Sequence, residues 1–126
     1  MVSIDFISRA SVKNNQAVYT DINVDVSKIL ESWKLSVFAH HWLTSDGAIK
    51  DVVDLSDKNK ERRTAAEQLI ADGKPLEKPI LGIGIYDNIE IGAGTAELCV
   101  ATLHNIKTIP VHIRTTNLDD FKPYIV

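Results

Sequence analysis

Two glycines and a threonine stand just before an apolar run in the stretch Gly92-Ala93-Gly94-Thr95-Ala96-Glu97-Leu98, and Cys99, Ala101 and Leu103 continue that run at helical spacing. Glycines at the mouth of a helix let consecutive backbone N–H groups converge, and the helix dipole adds positive potential at the same point. Gly92, Gly94 and Thr95 are therefore candidate ligands of a phosphate or a nucleotide. The carboxylate of Glu97, in the first turn of that helix, opposes an anion and should weaken its binding. The same glycines also have a plain structural use, because they let the chain turn sharply from strand to helix.

The other chemistry-bearing residues form weaker patterns. Gly82-Ile83-Gly84 lacks the third glycine of a dinucleotide fingerprint, and no Gly-Lys-Ser/Thr phosphate loop is present. His40 and His41 are adjacent, whereas two ligands on one helix face sit three or four residues apart, so no metal site is expected there. Asp87, Glu90 and Glu97 fall near one hairpin end and could hold Mg²⁺. Cys99 lies one turn into an apolar helix, where a free cysteine is a small inert hydrophobe. No catalytic residue, resident metal or cofactor is assigned.

The elements that must position these residues can be read in order. Residues 2–7 and 18–26 read as two strands joined by the polar turn Lys13-Asn14-Asn15-Gln16. Residues 27–43 read as one helix with a wide apolar face, including Trp33, Phe38 and Trp42; so broad a face implies a second partner, and these three are the candidate interface. After the turn signal Ser45-Asp46-Gly47 comes an apolar run over residues 49–55. Ser56 then caps a helix whose buried stripe is Ala65, Ala66, Leu69 and Ile70, with Arg63 and Glu67 on its outer side and Gly73 as terminator. Residues 79–86 and 89–92 form a hairpin around Asp87-Asn88. A helix from Thr95 ends at Asn105, and residues 109–113 make a last strand, which Pro110 places at a sheet edge. Asn117 caps a closing helical turn over residues 117–121.

Strand, glycine turn, helix and Lys107-Thr108-Ile109-Pro110-Val111 in this order resemble the ParB/sulfiredoxin superfamily, in which a glycine signature, a short helix and a strand beginning near T-I-P-V follow one another. Gly94 and Thr108 keep the family spacing, and the helix ending at Ile70-Ala71-Asp72-Gly73 before Pro79-Ile80-Leu81 is similar to its upstream part. The likeness covers about residues 56–111 of one domain spanning 1–126. It implies a small α+β (α/β) fold with a mixed sheet. It also implies that Arg62, Arg63 or Lys58, on the helix before the hairpin, could face an anion at the glycine turn. Sulfiredoxin chemistry uses the cysteine and arginine of G-C-H-R, and ParB-type CTP binding uses the arginines of G-E-R-R. This chain has Thr95, Ala96 and Glu97 there. The resemblance therefore implies a binding protein stripped of its reactive side chains, an accessory or counter-defence factor of a phage, plasmid or other mobile element. The nuclease name of some relatives implies the alternative, a metal-dependent nuclease, or a nucleotide hydrolase, using Asp87, Glu90 and Glu97 for phosphodiester cleavage.

Composition bounds the rest. With 126 residues, 44% apolar and 25% charged, the chain lies within the range of ordinary globular domains. One cysteine excludes an internal disulfide, and the first ten residues lack the basic and apolar segments of a signal peptide, so a cytoplasmic location is expected. No apolar stretch approaches bilayer length, so no membrane partner is expected. A net charge of −3 argues against a broad DNA-binding face and leaves room for a local one. Partners are then a protein or a second copy of the chain, with DNA or a nucleotide as further options.

Overall fold

The computed structural model describes residues 4–126, and the start of the first expected strand lies outside them. It shows a small α+β fold with two sheets. Strand β1 (Phe6–Ile7) leads through a one-turn helix α1 (Ala10–Lys13) to β2 (Tyr19–Asp25) and α2 (Val26–Trp33). A 3₁₀ turn at Ala39–His41 and another at Val52–Asp54 precede the long helix α3 (Asp57–Ala71). Then come β3 (Leu76–Glu77), the hairpin β4 (Ile80–Ile83) and β5 (Ile89–Ala93), α4 (Thr95–Leu103), β6 (Thr108–Arg114) and the short α5 (Leu118–Phe121).

The main sheet has the order β2-β6-β4-β5, with β4 and β6 parallel and the outer pairs antiparallel. Its alternation decides which face is covered. Ile22 and Val24 on β2, Ile109, Val111 and Ile113 on β6, Leu81 on β4 and Ile89 on β5 meet Ile29 and Trp33 of α2 and Leu98 and Ala101 of α4. Burying a side chain of this kind stabilises by roughly 1.5–3 kcal/mol relative to exposure. A second cluster, Ala66, Leu76 and Val100 with Phe6, Leu69 and Ile70, ties α3 and the β1–β3 pair to the back of α4. Among the described residues no helix is long and apolar enough to cross a membrane.

Several expectations meet the structure directly. Ser56 caps α3 by accepting from the Asn59 N–H at 3.3 Å, Gly73 takes a left-handed φ of 69° just after α3, and Asn105 takes one of 63° after α4. Others are corrected. The two N-terminal strands do not share a sheet: β1 pairs in parallel with β3, so α1 has to carry the chain over to β2.

The helix expected over residues 27–43 stops at Trp33. Ser36 ends it, accepting from the Phe38 N–H and donating to Glu90. Trp33 and Trp42 are both buried in one core, although an unbroken helix would separate them by about 13 Å along its axis. Breaking the helix lets both in. β6 is an inner strand rather than an edge. Pro110 is tolerated because Asn23 opposite turns its carbonyl away to Val126, so the missing N–H of Pro110 points toward β4, whose pairing begins only at Ile80 and His112. Asn117 precedes α5 without a side-chain capping bond.

Candidate functional site

The glycine turn opens a cleft of about 560 Å³ between α3, β5 and the start of α4. Its floor is small: Gly92, Ala93, Gly94 and Ala96 from the turn, and Ala65 and Ala66 from α3. Small residues keep backbone amides within reach of a ligand. Gly94 is the pivot, with a φ of 89° that L side chains adopt only under strain. A Cβ there would lie 2.7 Å from both Pro79 Cα and Arg9 Nη2, so glycine is required by space as well as by dihedral. The first helical bond runs from Leu98 N–H to the Gly94 carbonyl, which leaves the N–H groups of Thr95, Ala96 and Glu97 without helical acceptors.

Two guanidinium groups border this cleft. Arg62 sits on the exposed side of α3 and lines the wall. The other is Arg9, which the sequence pattern did not suggest. Its Nε donates to the Lys78 carbonyl at 2.9 Å, which fixes the side chain along the β3–β4 connection. Its Nη2 lies 3.5 Å from a Glu97 carboxylate oxygen, and its Nη1 lies 3.8 Å from Glu77. The Glu97 contact is within Coulomb range but lacks hydrogen-bond geometry, so among the described residues the buried Nη2 has no hydrogen-bond partner. Glu97 thus sets a carboxylate beside the open N–H groups, facing an arginine.

Arg63, named with Arg62 from the sequence, is not at the cleft. It is buried against the helix underside and donates Nη1 to the Lys50 carbonyl, holding the segment after Gly47 on α3. The helical period explains the split, because neighbouring positions on a helix face directions about 100° apart. The expected outer-face pair of Arg63 and Glu67 is absent; Glu67 instead meets His104, just past the end of α4, at 2.9 Å.

The interface residues divide too. Trp33 and Trp42 are core side chains and cannot offer an exposed aromatic helix face; Trp42 reaches the inner wall of the cleft, and Phe38 alone stands in water. The three carboxylates considered for Mg²⁺ are dispersed: Glu90 accepts from Ser36 and Asn88, Glu97 faces Arg9, and Asp87 sits at the hairpin tip. Among the described residues no group of three or more His, Cys, Asp or Glu side chains is placed to hold a metal ion.

No family model, no curated protein and no solved structure matches this chain.

Proposed function

We propose that the chain is a non-catalytic, ParB/sulfiredoxin-like binding protein whose glycine-turn cleft receives the phosphates of a nucleotide, with Glu97 as an internal competitor. The observation that carries this reading is the arrangement of Arg9, Glu97 and the open amides of Thr95 to Glu97 around one cleft. A triphosphate placed there would take up the helix N-terminus and draw Arg9 and Arg62 toward it. It must first displace the carboxylate already present, so affinity in the natural chain is low.

Isothermal titration of CTP and ATP tests this. Glu97→Gln removes the competing charge and keeps the side chain's size, and should raise affinity at least ~10-fold, because hydrogen bonds to charged groups contribute roughly 1.5–3 kcal/mol. Arg62→Ala in that background should reverse most of the gain. Submicromolar binding by the natural chain, or no gain from Glu97→Gln, overturns the reading.

A further inference from the structure

Five large apolar side chains project from two neighbouring turns at one end of the β4–β5 hairpin. Leu35, Val37 and Phe38, after α2, are 62%, 66% and 65% exposed, and Ile85 and Tyr86, at the hairpin tip, are 90% and 71% exposed. Hydrogen bonds fasten the two turns together. Ser36 donates to one carboxylate oxygen of Glu90, Asn88 donates to the other at 3.3 Å, and the Ile89 N–H donates to Ser32 Oγ at 2.8 Å. Ser32 Oγ in turn accepts from Tyr124 at 3.0 Å. The apolar tips are therefore held on a fixed base, and little ordering entropy is left to be lost when something covers them.

Size and charge select the occupant. Five such side chains expose on the order of 600 Å², at the upper end of the largest apolar patch on a typical monomer and approaching the ~800 Å² that each partner contributes to a standard interface. Leu35 stands between two shallow grooves, one carrying Lys34, His40 and Asp46 and the other Lys28, Glu31 and Asp87. Each groove bears both signs. A nucleic acid or an anionic bilayer selects one sign, whereas a rim of mixed charge complements its own copy across a two-fold axis. We infer that the Leu35–Phe38 turn and the Ile85-Tyr86 tip form a self-complementary face through which two copies of this chain pair. This replaces the buried tryptophans as the association surface and does not depend on ligand binding at the cleft.

Sedimentation velocity on the full chain across the micromolar range tests the inference. A dimer is expected, and Phe38→Ser with Tyr86→Ser should weaken it at least ~10-fold, as truncation of central aromatic anchors does. Both side chains project into water, so unchanged thermal unfolding of the dilute variant should accompany that loss. A monomer at every concentration overturns the inference, and so does a dimer that the double substitution leaves intact. A monomer that co-sediments with vesicles of anionic lipid overturns it in favour of a membrane surface.

Discussion

Asp21 and His112 face each other across the β2–β6 pair, with Oδ1 of the carboxylate against Nδ1 of a fully buried imidazole. Among the described residues neither ring nitrogen has a partner in hydrogen-bond geometry, and Oδ2 of Asp21 accepts from Lys78 Nζ at 3.1 Å. Partial burial works against the charged carboxylate. The hydrogen bond and charge of Lys78, together with the neighbouring His112, outweigh it and hold the Asp21 carboxyl below its ordinary range.

A depressed carboxyl stabilises the fold fully above its unfolded value, ~3.9, and loses that contribution as pH falls through the folded value. Asp21→Asn should therefore cost about 1 kcal/mol at neutral pH, a modest figure because the carboxylate is half exposed and screened. The gap between natural chain and variant should close below about pH 4. Urea unfolding across pH checks this, and a gap independent of pH would contradict the assignment.

Cys99 gives a second test, because its thiol is fully buried between α4 and the sheet. Burial, helped by nearby Glu97 and opposed by Arg63, pushes it up to about 12. At pH 8 the thiolate fraction is then on the order of 10⁻⁴, and no path from solvent reaches it. A thiol reagent should leave the native protein unmodified for as long as it stays folded and should react at the unfolding rate in denaturant. Rapid stoichiometric labelling without denaturant would show that α4 opens far more readily than its packing implies.

What could be read in advance follows from the range of each interaction. The Ser56 cap, the β4–β5 hairpin and the Gly94 turn are decided within a few residues, and local chemistry identifies them. Arg9 is different. It enters the cleft because β1 pairs with β3 and its Nε meets a carbonyl 69 residues away, and no local pattern near Arg9 announces that meeting. The break after Trp33 was hidden for another reason. Apolar positions on both sides continue one helical period as a wide face of two stripes, so the period alone favoured continuity, while the deciding contact is Ser36 with the distant Glu90. Pro110 misled through a sound rule applied to the wrong neighbour, since its missing N–H faces the side where β4 has not yet begun.

Arg62 and Arg63 should separate cleanly by experiment. Arg63 is a buried cation with no carboxylate in ion-pair range among the described residues; its contribution lies in packing and in the Lys50 carbonyl bond. Arg63→Ala should destabilise by about 2–3 kcal/mol, and Arg63→Met, which keeps the aliphatic stem, should recover most of that. Neither should alter CTP or ATP binding in the Glu97→Gln background. Arg62→Ala should do the reverse, lowering affinity with stability unchanged within ~0.5 kcal/mol. Equal effects of the two on binding would put Arg63 back at the cleft.

The two glycines of the turn make a sharper contrast, because they differ in the space above the missing side chain. At Gly92 an added Cβ meets the Ile80 carbonyl at 3.6 Å, an ordinary contact, and no left-handed dihedral is required. At Gly94 the φ of 89° already disfavours a side chain, and the Cβ would press on Pro79 and on Arg9 Nη2 at 2.7 Å. Gly94→Ala must therefore shift the β3–β4 connection or push Arg9 off its place beside Glu97. The expected cost is at least ~2 kcal/mol, combining backbone strain and overpacking, against less than ~1 kcal/mol for Gly92→Ala. Placed in the Glu97→Gln background, Gly94→Ala should also abolish the gained nucleotide affinity while Gly92→Ala retains it. Thermal unfolding and titration of the four variants decide the matter. If Gly94→Ala leaves both stability and binding untouched, the amides after Gly94 are not held where a phosphate could meet them.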